Sequence, residues 1–303
     1  MKIGFIGLGN MGFLMTQNLC AKGYQLNVYD VNLKNCTELV KQYKNAAIAD
    51  NPGSLTAWSD VIITMLPDSK IVKQVMYGDN GIYPSLEPGK VFIDMSSSVP
   101  EVTREIYKTL RQKGVEMLDA PVSGGVGGAQ KGTLSIMVGG KETVFEKCKQ
   151  LLLAMGSKIT LVGEIGSGHI IKALNNLLSA TTIWATAEVL ALGVKAGLSP
   201  EKMLEVINTS SGRSNSSENK FPKFVLTRKF DFGFSGALTL KDVKIANGIG
   251  DEYCVPMLLG SHIEQLWSYG LTVDPTMDQT AIVKIVEKMF NVTIQGETQG
   301  DEK

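Results

Sequence analysis

The side chains that could carry chemistry fall in four places along the chain. Near the start, Gly7-Leu8-Gly9-Asn10-Met11-Gly12 sets three glycines at the spacing G-x-G-x-x-G. In such a pattern Gly7 permits a tight turn, Gly9 lets a pyrophosphate approach the backbone, and Gly12 allows a helix to pack closely on a strand. Asp30 follows Gly12 by 18 residues, where a carboxylate can accept from both hydroxyls of a ribose. A 2′-phosphate would meet that charge at close range. No Arg lies in Tyr29-Asp30-Val31-Asn32, and Lys34 is the only cation close by. The pattern therefore predicts NAD as cofactor in preference to NADP.

The second place is Asp119-Ala120-Pro121-Val122-Ser123-Gly124-Gly125. Its small residues would bare backbone N–H groups beside the Ser123 hydroxyl, making either an anion nest suited to a carboxylate or a plain glycine turn. The third is Lys172 with Asn176, four residues apart and so on one face of an otherwise apolar helix. A lysine there either snorkels to water or, desolvated and set beside a second cation, trades protons near neutrality. The fourth is Lys241-Asp242, which reads equally as a source of that second cation or as a surface ion pair. The two histidines, His169 and His262, have no Cys or carboxylate partners at ligand spacing, so no metal is expected. His169 reads as a polar wall near Lys172.

These residues need a scaffold, and the hydrophobic pattern supplies one. Apolar, β-branched runs near Lys2 to Ile6, Gln25 to Asp30, Asp60 to Leu66, Lys90 to Asp94, Val115 to Asp119 and Leu134 to Val138 alternate with amphipathic stretches such as Gly12 to Lys22, Leu33 to Lys44 and Ser69 to Tyr77. That alternation predicts an α/β fold, a doubly wound parallel Rossmann sheet, closed by a strand over Lys158 to Val162. The fingerprint then follows the first strand and opens the first helix, the context that gives it meaning. Met65-Leu66-Pro67 and Ser96 fall at or just past strand ends and would line the same carboxyl edge. After Gly163-Glu164-Ile165-Gly166-Ser167-Gly168 the period turns helical. The expected layout is a dinucleotide-binding domain over 1–164, an all-helical domain over 165–292 and a polar tail over 293–303. A long helix of about 167–196, with Ser167 as its N-cap, joins the two domains.

Composition narrows the partners. The 303 residues are 44% hydrophobic and 20% charged, with 30 basic against 30 acidic side chains and a formal net charge of +0. No basic field is available to draw in nucleic acid, so a small molecule is favoured. The apolar stretch Leu177 to Val194 carries Ser179, several Thr and Glu188 and ends at Lys195; it reads as a buried helix rather than a membrane span. Its apolar surface, with Trp184, exceeds what a small helical domain hides and predicts a homo-oligomer, dimer or tetramer. Cys20, Cys36, Cys148 and Cys254 show no C-x-x-C pairing and are expected as buried, reduced thiols in a cytoplasmic protein.

The four blocks together resemble the β-hydroxyacid dehydrogenase family: Gly4 to Gly12, Asp119 to Gly125, Gly166-Ser167-Gly168 through Lys172 to Asn175-Asn176, and Leu240-Lys241-Asp242. The resemblance implies reversible hydride transfer between a small β-hydroxy carboxylic acid and its semialdehyde, in a cleft between the two domains. It makes Lys172 the proton carrier and Asn176 the residue that orients substrate and lysine. Ser123, Gly124 and Gly125 would hold the substrate carboxylate, and Lys241 would close over nicotinamide and substrate. Met65, Leu66 and Ser96 match cofactor-contacting positions. Ser210-Ser211-Gly212-Arg213-Ser214 and Phe290-Asn291-Val292 look most like the 2-(hydroxymethyl)glutarate enzymes of the family, which would let Arg213 clamp a second carboxylate. Alternatives on the same scaffold are an NADP-linked semialdehyde or imine reductase, a decarboxylase of phosphorylated sugar acids, and a nucleotide-sensing protein without turnover.

Overall fold

A computed structural model of the chain describes residues 1–296. It divides into two compact units, Met1–Lys172 and Ala173 onward.

The first unit is built on nine strands: β1 (Lys2–Ile6), β2 (Gln25–Tyr29), β3 (Ala46–Ile48), β4 (Val61–Thr64), β5 (Val91–Asp94), β6 (Glu116–Asp119), β7 (Val122–Ser123), β8 (Leu134–Gly139) and β9 (Gly156–Gly163). Their order is β3-β2-β1-β4-β5-β6-β8-β7, with β9 on β8. From β3 to β6 every pairing is parallel. Such strands are covered on both faces, which is why Val61, Ile62 and Ile63, or Val91, Phe92 and Ile93, run apolar without alternation and are at most 1% exposed. Beyond β6 the expected parallel order is interrupted, because β8 runs antiparallel to both β6 and β7, and it resumes at the closing strand β9, which pairs parallel to β8. The seven-residue helix α6 (Gly125–Lys131) that precedes β8 belongs to a local return, not to a right-handed crossover. Around the sheet lie α1 (Asn10–Ala21), α2 (Leu33–Gln42), α3 (Pro52–Trp58), α4 (Ser69–Tyr77), α5 (Pro100–Gln112), α6 and α7 (Glu142–Leu153). Three of the four cysteines are buried here, and burial pushes the thiols of Cys20, Cys36 and Cys148 up to about 11. Cys254 is exposed, contrary to expectation, in a turn of the second unit where its φ is 54°.

The second unit is helical: α8 (Ser167–Lys195), which begins in the first unit, α9 (Pro200–Asn208), a π-helical segment (Ser216–Val225), α10 (Gly236–Glu252), α11 (Leu258–Val273) and α12 (Val283–Phe290). By length and composition α8 could cross a bilayer. In the fold its residues Ala173, Leu177, Ala180, Trp184, Ala187 and Ala191 recur every three or four positions and are buried, the stripe of a helix packed in a core. Trp267 of α11, wholly buried, donates from its indole to Ala180 O. The segment expected as a polar tail is docked where it is described: Ile294 is fully buried and Gly296 N–H donates to Leu226 O. Residues 297–303 of that tail lie outside the described residues.

The start of α8 belongs to the sheet unit for a visible reason. Both oxygens of the Asp119 carboxylate, at the end of β6, accept backbone N–H groups at the helix start, Gly166 N at 2.7 Å and His169 N at 2.9 Å. A carboxylate on a helix N-terminus satisfies orphan donors and the dipole together. The cap expected from Ser167 is thus supplied across the chain by Asp119. A Cβ on Gly168 would press on Met137 O and on both Asp119 O and Oδ2, so only glycine lets the helix sit this low on the strand ends.

Candidate active site

The strand order reverses between β1 and β4, and ligands of open α/β sheets bind outside the carboxyl ends at such a switch. At that edge the fingerprint takes its expected shape. Gly7 has φ 100°, and a Cβ there would collide with Met65 O; one on Gly12 would collide with Gly7 O. Gly9, by contrast, is exposed, and a Cβ on it would find no atom within 4 Å. Gly9 caps α1 without any side-chain hydrogen bond, so the first N–H groups of the helix stay available to an anion. Open space over a glycine at an uncapped helix start fits a dinucleotide pyrophosphate. Leu8 is wholly buried and offers only its backbone, while Asn10 is exposed and Met11 half-buried.

Asp30 completes the cradle. Its Oδ2 accepts from Leu8 N at 2.6 Å and its Oδ1 from Asn32 N at 2.7 Å, and Asn35 Nδ2 donates to Leu8 O at 2.5 Å. The carboxylate is therefore held against the glycine turn, with lone pairs left for ribose hydroxyls. Leu66 N donates to Ser96 Oγ at 2.9 Å, and Ser96 is wholly buried. Its hydroxyl sets the position of Leu66 and does not face outward. Met65 and Leu66 are half-buried and Pro67 exposed.

On the far side of the sheet centre, β6 and β7 deliver Ser123, Gly124 and Gly125. Gly124 has φ 130° and Gly125 φ 61°, and Ser123 is half-buried. The same β6, through Asp119, carries the start of α8 and hence Lys172, which is 8% exposed. His169 is not a wall. Its side chain is wholly buried, with Nδ1 2.8 Å from Thr103 Oγ1 and Nε2 3.0 Å from Ser96 O. Since a carbonyl oxygen only accepts, Nε2 is the donor there. The ring ties α8 to α5 and to the segment after β5, and Asp94 and Asp119 stand 3.8 and 3.7 Å away. Asp94 in turn accepts from Thr64 Oγ1, Ser96 N and Ser98 Oγ.

Asn176 lies on α8 one turn beyond Lys172. Its Nδ2 donates to Asp242 Oδ2 at 2.5 Å, and its Oδ1 accepts from Asn175 Nδ2 at 3.1 Å. Asp242 is 1% exposed; its Oδ1 has no hydrogen-bond partner and lies 3.4 Å from Lys241 Nζ. The Lys241-Asp242 pair is therefore no ordinary surface pair: its acid is buried and orients an amide. Sequence reasoning did not give Asp242 a role; its signal was the acidic residue next to Lys241, legible only once burial is known. Arg213 is exposed in the loop after α9, where its backbone N–H donates to Ser210 O.

Known proteins resemble the chain over nearly its whole length. Residues 2–163 match the family model described as the NAD binding domain of 6-phosphogluconate dehydrogenase, and residues 166–286 match the one described as NAD-binding of NADP-dependent 3-hydroxyisobutyrate dehydrogenase. The chain is 40% identical over 296 residues to 2-(hydroxymethyl)glutarate dehydrogenase of Eubacterium barkeri, covering 97% of this chain and 98% of that one. It is 39% identical over 273 residues to the mitochondrial 3-hydroxyisobutyrate dehydrogenase of Mus musculus, covering 88% and 80%. Among solved structures, the Mycobacterium tuberculosis 3-hydroxyisobutyrate dehydrogenase with L-serine superposes with a TM-score of 0.87 at 30% identity, covering 94% of this chain and 98% of that one.

Proposed function

The chain belongs to the 3-hydroxyisobutyrate dehydrogenase family of oxidoreductases, and from that premise we propose that it interconverts a small β-hydroxy carboxylic acid and its semialdehyde with NAD. The observation that carries the reading is the spacing on α8 of a buried lysine and, one turn on, an asparagine whose amide is held by a buried aspartate. Gly7, Leu8, Gly9, Asn10, Met11 and Gly12 would hold the pyrophosphate, Asp30 the ribose, and Met65, Leu66 and Pro67 the nicotinamide end. When bound, the nicotinamide gives or takes the hydride. Ser123 and the backbone of Gly124 and Gly125 hold the substrate carboxylate, and Lys172 Nζ takes the hydroxyl proton or returns it to the carbonyl oxygen. Asn176 orients that oxygen, and Lys241 adds positive charge beside the acid. The test is absorbance at the nicotinamide band with a panel of β-hydroxy acids and NAD. Turnover of at least one is the expected result; turnover of none would sink the reading.

The choice of NAD rests on the Asp30 carboxylate, which would face any 2′-phosphate, and like charges at close range cost several kcal/mol. The expected ratio of kcat/KM for NAD over NADP is about a hundredfold or more, since each ~1.4 kcal/mol is a factor of ten. Asp30→Asn keeps an acceptor for Leu8 N and removes the charge. It should narrow the ratio by at least about tenfold on the same scale. A wild-type preference for NADP, or an unchanged ratio in the variant, would contradict the role given to Asp30.

A homo-oligomer is part of the proposal. Leu178 and Leu192 of α8 are 65% and 71% exposed, and Leu258 of α11 is 83% exposed, apolar surface of the kind that marks association. Light scattering should give at least twice the mass of the chain; a monomer at micromolar concentration would refute it.

A further inference from the structure

His169 is buried three residues before Lys172 and takes no part in the chemistry proposed above. Its backbone N–H is held by the Asp119 carboxylate, so the start of α8 is pinned whatever side chain stands at 169. The ring does something else. Its Nε2 donates to Ser96 O at 3.0 Å, and its Nδ1 meets the Thr103 hydroxyl of α5 at 2.8 Å.

The two partners differ in what lies behind them. Ser96 stands two residues past the end of β5, and Leu66 two past the end of β4. These segments are laced together: Met95 N donates to Thr64 O at 2.8 Å, Leu66 N to Ser96 Oγ at 2.9 Å, and Thr64 Oγ1 to Asp94 Oδ1 at 2.9 Å. Ser96 N closes the turn on the same Oδ1 at 3.0 Å. A buried network whose members are satisfied holds its geometry closely. Met65 and Leu66, at this edge, are the residues assigned above to the nicotinamide end. The Nε2 bond thus joins the seat of the hydride carrier to the helical turn that bears the proton carrier. Thr103 leads instead into α5, where its hydroxyl lies 3.3 Å from Val99 O, and no cofactor or substrate role falls on that helix.

We propose that His169 is a positioning residue: through Nε2 and Ser96 O it sets Lys172 relative to the nicotinamide, so that the two carriers keep one register. The kinetic consequence rests on the hydroxyacid reading, whereas the coupling itself rests on the dinucleotide site alone. A misplacement of about 1 Å, even one caused far from the chemistry, costs up to ~100-fold in rate.

The test compares His169→Gln with His169→Asn. A glutamine carries its amide nitrogen about where Nε2 lies and still donates to Ser96 O. An asparagine ends near Nδ1, meets Thr103 and leaves Ser96 O without this donor. Both are uncharged and both lose the ring. Any cost in packing, or in charge beside Asp94 and Asp119 at 3.8 and 3.7 Å, therefore falls on the two alike. His169→Asn should lower kcat by about tenfold or more, with KM for the hydroxy acid changed by less than about threefold, while His169→Gln stays within about threefold of wild type. Thr103→Val, which removes the other partner, should lower Tm and leave kcat unchanged. Equal losses in the Gln and Asn variants, no loss in His169→Asn, or a loss in Thr103→Val as large as that in His169→Asn would each overturn the proposal. Amide hydrogen exchange reads the coupling without turnover: NADH should slow exchange of the Ile170 and Lys172 amides in the wild type and in His169→Gln, and not in His169→Asn. The same protection in both variants would refute the link. If no hydroxy acid is turned over, the hydroxyacid reading has failed, and the exchange experiment still decides the role of His169.

Discussion

Lys172→Ala should lower kcat by at least about a hundredfold, since proton transfer by a positioned side chain contributes ~10²- to 10⁴-fold, while NADH binding, followed by its fluorescence, stays nearly intact. The size of the expected effect follows from how the lysine is placed. Asp119 pins the first turn of α8 to the end of β6, Gly168 lets that turn lie against Met137 O, and His169 ties it to Thr103 and Ser96. Three residues after His169, Lys172 inherits a fixed starting point, and at 8% exposure it is shielded from water. A proton carrier must be able to exist in both protonation states. Lys172→Arg keeps the positive charge but cannot give up its proton in a protein, so it should be as impaired as the alanine variant. An arginine variant with near wild-type turnover would show that the charge, not proton transfer, is what the reaction needs. Wild-type turnover in the alanine variant would remove Lys172 from the chemistry altogether.

How far the sequence could be read depended on the kind of signal each residue leaves. The glycine turn was legible because Gly7 and Gly12 must be glycine, one for its φ and both because a side chain would strike backbone oxygens. The central strands were legible because burial on both faces forces uninterrupted apolar runs. The direction of β8 was not, since Leu134–Gly139 alternates alike in either direction; only the short route through β7 and α6 decides it. β3 was missed because Ala46–Ile48 is three residues at the sheet edge with little to bury. The π-helical segment was missed as well. Its Pro222 lacks an N–H and disturbs the regular ladder, so the hydrophobic period that announces a helix is blurred there. Charged residues were the hardest. Asp119, Asp242 and Lys220 are at most 3% exposed, yet in a sequence each looks like a residue bound for water, and only the groups that answer its charge reveal otherwise. His169 misled in the opposite sense: proximity to Lys172 suggested a surface of the site, whereas its ring is spent on joining α5 and α8.

Asp242→Asn should lower kcat by about 10- to 100-fold, the scale set by losing a hydrogen bond to a charged group, with a smaller change in substrate KM. A carboxylate can only accept, so it admits a single orientation of the Asn176 amide, Nδ2 inward and Oδ1 outward. An asparagine at 242 can present either an acceptor or a donor, and the amide it faces is then free to turn over. In the proposed reaction the loss falls on kcat because a misoriented amide would fail to align the reacting oxygen, while the carboxylate hold proposed for Ser123, Gly124 and Gly125 would persist. Asp242 is in this sense a positioning residue that acts through Asn176, and a double-mutant cycle distinguishes that role from a general loss of structure. If Asp242 works only through Asn176, then adding Asp242→Asn to Asn176→Ala costs nothing further in kcat. Additive losses would mean that the carboxylate acts independently, most directly by fixing Lys241, whose Nζ lies 3.4 Å from Asp242 Oδ1. In that case Lys241→Met, and not Asn176→Ala, should be the background in which the effect of Asp242→Asn disappears.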